Sequence, residues 1–340
     1  MYRAAILGCG PRAVGHAEAY AHVTRGRLVA ACDRDRGRLE PFCDRFQIEG
    51  RFTDLGQMLD TVGPDLLHVV MTPERAEIIA QAAKVPPRAI LMEKPLACRP
   101  SAGYAILHTC RRAGIPLFIN HQLRHHEPFQ RVREAILGEE IGELVSLRGS
   151  SKGRLLEQGT HLLDLLSFLQ DDVPARSLLA QAEGAAAFRS SHPSPENMLI
   201  SLRWRNDVPV IVESGPASAT WRGETNFWLN KAVEATGTRG SVASSTNHGW
   251  WMVTDRGSFG EERAYAPEDL LAQARLTEGI FRTFDDPGFK HPNRPEVSSI
   301  AFDLAQAAMQ SAFERRRIAL PAPPVPDAVF DGLHAALERG

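Results

Sequence analysis

Hydrophobic residues in the first 120 positions occur in short runs, and each run is followed by a segment with helical periodicity. The runs predict five strands, at residues 4–7, 28–32, 66–70, 89–92 and 117–119. Segments able to form helices, such as residues 75–84 and 101–113, lie between them. Alternation of this kind is typical of a parallel sheet with helices on both faces. Ligands of such sheets bind at the carboxyl ends of the strands.

After about residue 122 the pattern of hydrophobic positions changes. Helices are predicted at residues 128–137 and 159–169, and a strand at residues 144–149. From residue 176 to 255 the runs are strand-like and joined by turn signals, and Asn206-Asp207 predicts a hairpin. Further strands are predicted at residues 226–230, 231–236, 241–245 and 250–254, and a helix at residues 297–313. Such a series of short strands predicts a mainly antiparallel sheet.

The two patterns predict an α/β protein with two domains. A doubly wound parallel sheet occupies residues 1–122, and an α+β domain with a large, mainly antiparallel open sheet occupies residues 123–340. The length agrees with this division, because 340 residues exceed what one hydrophobic core usually supports. The last helices of the chain are able to pack back on the first domain.

Composition narrows the class of protein. With 43% hydrophobic and 24% charged residues the chain is typical of a globular protein, and a formal charge of −2 gives no electrostatic case for binding nucleic acid or an anionic membrane. No apolar stretch reaches membrane-spanning length and no signal-peptide pattern opens the chain, so a cytoplasmic location is expected. Five cysteines without CxxC spacing indicate neither a disulfide framework nor a zinc site.

A glycine-rich turn ends the first predicted strand. Gly8 suits the tight turn, and Gly10 lets the backbone approach a phosphate without a Cβ between them. Pro11 fits a first helical turn, and Ala13 is small enough for close helix–strand packing. Asp33 ends the next apolar run, at the distance where an acidic residue binds the ribose of a dinucleotide. Strand, turn, helix and acidic residue together predict a dinucleotide site.

Glu93-Lys94-Pro95 stands at the carboxyl end of a predicted buried strand. A lysine in such a place is as often a solvated surface residue as a functional one. Beside a cationic nicotinamide and partly desolvated, however, Lys94 is able to exchange or donate a proton. Pro95 directs the chain after it, through either a cis or a trans bond.

The segment 157–169 places two titratable residues on a leucine-rich helix. His161 and Asp164 are three residues apart and share a helical face. Burying both is costly without a partner or a function. The alternative is a surface helix with His161 near its start and Asp164 exposed. A zinc site is disfavoured, because His161 has no histidine partner at helical spacing.

Histidines are crowded in the segment 120–129, where the predicted domains meet. His121, His125 and His126 are conceivable metal ligands. Polar residues at a cleft are more often hydrogen-bonding groups for a substrate, so we favour that role and expect no metal. A solvated linker is the alternative for His125 and His126.

Taken in order, these motifs resemble the glucose–fructose oxidoreductase / inositol dehydrogenase / MocA (Gfo/Idh/MocA) family. The similarity rests on Gly8-x-Gly10-x-x-Ala13-x-x-His16, Asp33, Thr72-Pro73, Glu93-Lys94-Pro95, Asn120…Arg124 and Gly159-Thr160-His161-x-x-Asp164. It implies a Rossmann domain that binds NAD(P) and a second domain whose open sheet covers the active site and mediates oligomer contacts. It also implies hydride transfer between nicotinamide and a hydroxyl or carbonyl of a sugar, sugar derivative or cyclitol.

The resemblance assigns roles to particular residues. The catalytic residues it implies are Lys94, His161 and Asp164, with His161 taking the substrate proton. The expected cofactor contacts are Gly8, Gly10, Pro11, Arg12, Ala13, Asp33, Arg34, Thr72, Pro73, Glu93 and Lys94. The expected substrate contacts are Asn120, His121, Arg124 and Gln158.

The cofactor and partners follow from the same residues. The carboxylate of Asp33 accepts ribose hydroxyls and repels a 2′-phosphate, which favours NAD. Arg34 and Arg36 stand close enough to keep NADP open. We expect a carbohydrate-like small-molecule substrate and a homo-oligomer, dimer or tetramer, formed through the C-terminal sheet.

Two other functions on the same scaffold stay open. One is an NAD-dependent glycosidase that recycles its nicotinamide within each turnover. The other is a dinucleotide sensor without catalysis, which the presence of Lys94, His161 and Asp164 disfavours, because a sensor needs no proton-transfer groups.

Overall fold

The chain forms two compact units in a computed structural model that describes residues 1–71, 75–204 and 206–339. Unit 1 consists of Met1–Ala97, Ala102–His125 and Asp269–Ser299, and unit 2 consists of Cys98–Ser101, His126–Glu268 and Ile300–Gly340. The segment Asp269–Ser299 therefore belongs to unit 1, although it comes late in the chain. Within the described ranges, no helix is both long and apolar enough to cross a membrane.

Unit 1 is built on a parallel sheet of six strands. They are β1 (Tyr2–Leu7), β2 (Gly26–Cys32), β3 (Gly50–Phe52), β4 (Leu66–Val69), β5 (Ala89–Met92) and β6 (Leu117–Ile119), in the order β3-β2-β1-β4-β5-β6. The order reverses at β1 and β4, which makes the sheet doubly wound and confirms the predicted fold class. The five predicted strands are present. The short strand β3 was not predicted, because three residues carry no readable period.

Helices connect these strands. They are α1 (Pro11–Glu18), α2 (Arg36–Phe46), α3 (Leu55–Val62), α4 (Arg75–Ala82) and α5 (Pro100–Ala113). The helix that the glycine motif predicted begins at Pro11, as expected, ends at Glu18 and continues as a 3-10 turn, Ala19–His22. Asp35 and Asp54 cap the starts of α2 and α3 by accepting hydrogen bonds from Gly37 N and Gln57 N.

Unit 2 contains a mixed sheet of nine strands. Its strands are β7 (Leu144–Ser151), β8 (Ala175–Glu183), β9 (Asn197–Trp204), β10 (Pro209–Ser214), β11 (Lys231–Gly237), β12 (Gly240–Ser245), β13 (Gly249–Thr254), β14 (Gly257–Glu261) and β15 (Ile318–Ala319). The order is β14-β13-β12-β11-β7-β10-β9-β8-β15. β7 and β10 run parallel, and every other pair in the described sheet is antiparallel. The predicted mainly antiparallel sheet is confirmed.

The remaining helices are α6 (Glu127–Leu137), α7 (Thr160–Leu169), α8 (Tyr265–Asp285), α9 (Ile300–Glu314) and α10 (Asp327–Arg339). A π-helical turn, Leu155–Gly159, precedes α7. All ten residues of α7 are buried. The helix packs on β7 at Gly149, where an added Cβ would lie 3.0 Å from a methyl group of Leu166.

In the second half of the chain, one predicted strand is wrong and one helix was not predicted. Residues 226–230 form turns rather than a strand, because Asn226 O accepts from Leu229 N and Asn226 Oδ1 accepts from Trp228 N. These local bonds satisfy amides that a strand would pair with its neighbour. Helix α8, which the sequence pattern did not reveal, contributes Leu276, Ile280 and Phe281 to a core beneath the sheet of unit 1.

Candidate functional site

The turn after β1 has the geometry of a phosphate cradle. Gly8 has φ +94°, and a Cβ at this position would collide with the carbonyl of Val70, so only glycine fits. A Cβ at Gly10 would instead point into open space, with no described atom within 4 Å. Helix α1 starts directly afterwards at Pro11, and no described side chain caps it. Its positive end is therefore available to an anion, whereas Pro11 carries no N–H and Ala13 N already donates to Gly10 O at 3.0 Å.

Asp33 ties this turn to the end of β2. Its Oδ2 accepts from Cys9 N at 2.8 Å and its Oδ1 accepts from Asp35 N at 2.9 Å. The carboxylate lines a cavity of about 480 Å³ within unit 1, together with Gly8, Arg34 and Arg38. Arg36, which the sequence offered as a partner for a 2′-phosphate, is exposed and lies 3.7 Å from Glu40.

Glu93, at the end of β5, collects three donors on one oxygen. Its Oε1 accepts from Arg12 Nε at 2.8 Å, from His16 Nε2 at 2.8 Å and from Asn120 Nδ2 at 2.6 Å. Burial by itself raises the pKa of Glu93, but Arg12, His16 and Lys94 outweigh it and hold that pKa well below its ordinary value. The carboxylate is therefore charged. The guanidinium of Arg12 is bound to Glu93 here. A phosphate at the turn would therefore meet the backbone of Arg12 rather than the Arg12 side chain.

Lys94 is half-buried beside this carboxylate, and its bond to Pro95 is cis. Arg75 holds the following residue, since it donates to Pro95 O and, through Nε, to Met71 O at 2.6 Å. Arg75 is itself buried. The lysine therefore stands between two restrained neighbours. Thr72 and Pro73, both predicted to contact the cofactor, lie outside the described residues.

Three of the predicted substrate contacts are buried in unit 1. Asn120 Nδ2 also donates to Gln273 Oε1 at 2.9 Å, while Asn120 Oδ1 and Gln273 Nε2 have no hydrogen-bond partner among the described residues. This amide pair keeps polar capacity for a ligand. Arg124 is fully buried and donates to Pro292 O at 3.0 Å. His121 is buried too, and its backbone oxygen accepts from the side chain of Asn293.

His161 and Asp164 lie on α7 in unit 2, where they are 5% and 3% exposed. Asp164 is thus not the exposed residue that the surface-helix alternative required. Gln158, in the π-helical turn, accepts a hydrogen bond from Lys231 Nζ at 3.0 Å. Lys231 is 3% exposed. The sequence analysis did not single out this lysine as a site residue, although a lysine directly before the buried apolar residues Ala232 and Val233 was a readable signal.

A buried polar cluster in unit 1 was also missed. His68 lies in the middle of β4 and is fully buried, with Tyr20 and His16 as hydrogen-bond partners. A lone histidine inside the apolar run of residues 66–70 was the available signal. In the part of the chain that is described, no group of three or more His, Cys, Asp or Glu residues is placed to hold a metal ion. His125 is bonded instead to Asn293 Oδ1 at 2.8 Å.

Comparison with known proteins identifies the first part of the chain. The profile described as "Oxidoreductase family, NAD-binding Rossmann fold", GFO_IDH_MocA, matches residues 2–121. The glycine turn, the Asp33 cavity and the doubly wound sheet lie within or directly beside that match, which agrees with an NAD-binding unit.

Similar proteins support the assignment over more of the chain. A D-apiose dehydrogenase of Rhizobium rhizogenes is 28% identical over 188 residues, which are 50% of this chain and 54% of that protein. A D-apiose dehydrogenase of Paraburkholderia graminis is 26% identical over 265 residues, 73% of this chain and 68% of that protein. The first match therefore spans only about half of the relative.

The fold has a solved counterpart. An oxidoreductase from Agrobacterium radiobacter, crystallised with NAD+, L-tartaric acid and magnesium, superposes with a TM-score of 0.80 at 22% identity. The superposition covers 94% of this chain and 98% of the other. At this level of identity the likeness establishes a shared fold.

Proposed function

We propose that the chain is a member of the Gfo/Idh/MocA family and an NAD-dependent dehydrogenase or reductase acting on CH–OH groups of a sugar, sugar derivative or cyclitol. One observation supports the proposal above the others: Gly8 of the glycine turn and the carboxylate of Asp33 line one cavity at the ends of β1 and β2, and the uncapped helix α1 begins directly after that turn. Sugar-like substrates are supported by the D-apiose dehydrogenases among its relatives.

The residues around the cavity fit a dinucleotide. The backbone of Gly8–Ala13 would hold the pyrophosphate at the start of α1, and Asp33 would accept hydrogen bonds from a ribose. The lone pairs of Asp33 that Cys9 N and Asp35 N leave available serve this purpose. When bound, NAD supplies the acceptor for the substrate hydride. We assign NAD rather than NADP, because the Asp33 carboxylate repels a 2′-phosphate.

Proton transfer is assigned to two side chains. We assign Lys94 to hydrogen-bond the reacting oxygen, and His161 to take the hydroxyl proton. Asp164, one helical turn beyond His161, would orient the imidazole or hold a neighbouring hydroxyl. Gln158, held by Lys231, and the amide pair Asn120 and Gln273 offer further polar contacts to a hydroxyl-rich substrate.

An absorbance screen tests the proposed activity. Purified protein with NAD is assayed at the NADH band against a panel of sugars, sugar acids, inositols and small aldehydes, the aldehydes with NADH. Turnover of at least one polyol supports the dehydrogenase. Cleavage of a glycoside without net NADH would instead identify a glycosidase, and sugar binding without any turnover would identify a sensor.

Removal of a proton-transfer group is the first mutational prediction. Lys94→Ala and His161→Ala should each lower kcat by about 10²- to 10⁴-fold and leave NAD affinity nearly unchanged, since both groups act in the chemical step. Steady-state kinetics and calorimetric titration with NAD measure the two effects. Lys84→Ala and His108→Ala are matched controls at exposed positions and should behave as wild type. Full activity in both active-site variants would refute the assignment.

We further propose that the protein is a homo-oligomer formed through the open face of the nine-stranded sheet. Helices cover one face, whereas the other presents partly exposed apolar side chains: Leu179, Leu199, Ile211 and Val253. The register places Ile211 of β10 and Leu179 of β8 opposite the same residue of β9, Ser201, so one strand separates the two side chains. Exposed apolar side chains on the uncovered face of a sheet are typical of a subunit interface.

We place the protein in the cytoplasm. Cys9, Cys32, Cys43 and Cys110 are buried thiols outside any disulfide. Free thiols persist in a reducing compartment.

A further inference from the structure

A buried chain of hydrogen bonds in unit 1 ends at Glu93. Tyr20 OH lies 2.8 Å from His68 Nε2, His68 Nδ1 lies 3.1 Å from His16 Nδ1, and His16 Nε2 lies 2.8 Å from Glu93 Oε1. Both imidazoles have no exposed surface. The cofactor cavity is lined by none of these four side chains among its described residues. A role other than direct cofactor contact is therefore needed to explain them.

The chemistry of the groups gives the chain one direction. The Glu93 carboxylate only accepts, so His16 Nε2 carries a proton and donates it. Burial lowers the pKa of His16 and of His68, which keeps both rings neutral. His16 Nδ1 then accepts from His68 Nδ1–H, and His68 Nε2 accepts from the hydroxyl of Tyr20. Burial raises the pKa of Tyr20, which keeps that hydroxyl protonated.

This arrangement suits holding a carboxylate better than conducting a proton. A proton moving along the chain would have to reside on Glu93, whose pKa is well below its ordinary value. Every donor in the chain points instead toward the charged oxygen. Because His68 fixes the ring of His16, the donor at Nε2 is oriented before any ligand binds.

The dinucleotide turn also has hydrogen bonds outside this chain. Its backbone is held by hydrogen bonds of its own, from Gly8 N to Cys32 O at 2.8 Å and from Val70 N to Leu7 O at 2.8 Å. Glu93 is followed directly by Lys94, and Arg75 restrains the next residue at Pro95 O. The part of unit 1 that the chain restrains is therefore the turn that carries Lys94.

We propose that His16, oriented by His68 and Tyr20, is a positioning residue that fixes the Glu93 carboxylate and thereby the placement of Lys94 for the chemical step. The inference rests on the proposed catalytic role of Lys94. It separates two functions of unit 1: the glycine turn binds the dinucleotide, and the Tyr20–His68–His16 chain sets the rate.

The kinetic test compares two replacements of His16. His16→Leu removes the donor, and His16→Gln keeps an N–H directed at Glu93. We expect kcat to fall about 10- to 100-fold in the leucine variant, the range that displacement of a reacting group by about 1 Å causes. The glutamine variant should recover most of that loss. The NAD dissociation constant should change less than about threefold in both.

Controls separate positioning from loss of structure. His22→Leu alters an exposed histidine of the neighbouring 3-10 turn and should leave both constants unchanged. Parallel losses of kcat, NAD affinity and thermal stability in both His16 variants would show a merely structural role. If His16→Leu keeps the wild-type kcat while Lys94→Ala is inactive, the inference about His16 is wrong. The proposed function would still hold in that case.

A spectroscopic test needs no substrate. In protein labelled with 15N-histidine, NMR at pH 7 should show His16 neutral with its proton on Nε2, and His68 neutral with its proton on Nδ1. Tyr20→Phe removes the last donor and should shift the His68 signals, whereas Tyr2→Phe, which removes a hydroxyl bonded to Asp285, should not. A charged His16, or a His68 protonated on Nε2, would overturn the inference even if the enzyme proves inactive on every substrate tried.

Discussion

Asp33 shows how one side chain combines structure and selectivity. Its two oxygens bind the amides of Cys9 and Asp35, which belong to the loops after β1 and β2. The carboxylate is thereby fixed at the cavity wall. A ligand hydroxyl meets an oriented acceptor, and a phosphate meets a negative charge.

Asp33→Asn tests this at the residue scale. The amide keeps one acceptor oxygen but loses the charge, so NAD affinity should fall about tenfold or more and the preference for NAD over NADP should narrow. Titration calorimetry with each dinucleotide measures both values. Asp60→Asn, at an exposed position of α3, should change neither. An unaltered ratio of the two affinities would show that Asp33 does not discriminate between them.

At the scale of elements, the nine-stranded sheet is covered on one face only. Alternation along β9 and β10 puts buried and exposed residues on opposite faces, and Arg148 and Glu213 form an ion pair at 3.0 Å on the exposed side. The exposed apolar side chain of Ile211 lies on β10, the strand of Glu213, and that of Leu179 lies two strands away on β8. Such a mixture of apolar and paired charged groups is typical of an interface that forms between identical subunits.

Leu179→Glu tests the open face as an interface. A charge at the centre of a self-complementary contact meets its own copy, so the wild-type oligomer should dissociate toward the monomer. Light scattering after size-exclusion chromatography measures the mass. Leu137→Glu places the same charge on an exposed leucine of α6, outside the open face of the sheet, and should leave the mass unchanged. A monomeric wild type would refute the proposed assembly.

At the scale of the whole molecule, buried histidines make stability depend on pH. Burial lowers the pKa of four of them, in the case of His291 to about 4: His16, His68, His125 and His291. The unfolded chain binds protons near pH 6.5 that the folded chain does not accept. Stability is therefore complete above that pH and falls as the pH drops below it. All four histidines belong to unit 1.

Acid sensitivity follows as a prediction. Each histidine should cost about 1.4 kcal/mol per pH unit below about pH 6.5, until its folded pKa is reached. Glu93 affects stability only at lower pH. Because its pKa is lowered in the folded protein, its contribution to the free energy of unfolding is kept until the pH falls below 4.5. Urea midpoints at pH 7.5, 6.5 and 5.5 measure the effect, and return to pH 7.5 should restore the midpoint. A midpoint that stays constant between pH 7 and 5.5 would contradict the burial of neutral histidines.

The fold class was predictable because hydrophobic periodicity is local. The runs that became β1, β2, β4, β5 and β6 are each readable within a few residues, and the Gly8 turn is a local steric requirement. The resemblance to the Gfo/Idh/MocA family followed from short motifs in a fixed order, and the family profile matches residues 2–121. The strand prediction at residues 226–230 was wrong for a local reason as well, since the side chain of Asn226 competes with strand pairing.

Only the tertiary structure decided which distant residues share a site. Glu93 draws donors from Arg12, His16 and Asn120, and Gln273 joins them from a helix that begins more than 140 residues later. Neither composition nor periodicity encodes such contacts, because they arise when strand ends from separate parts of the chain meet at one edge of a sheet. The sequence determined the elements and the cofactor turn. The packing of those elements determined the charge state of Glu93 and the restraint on the residues around Lys94.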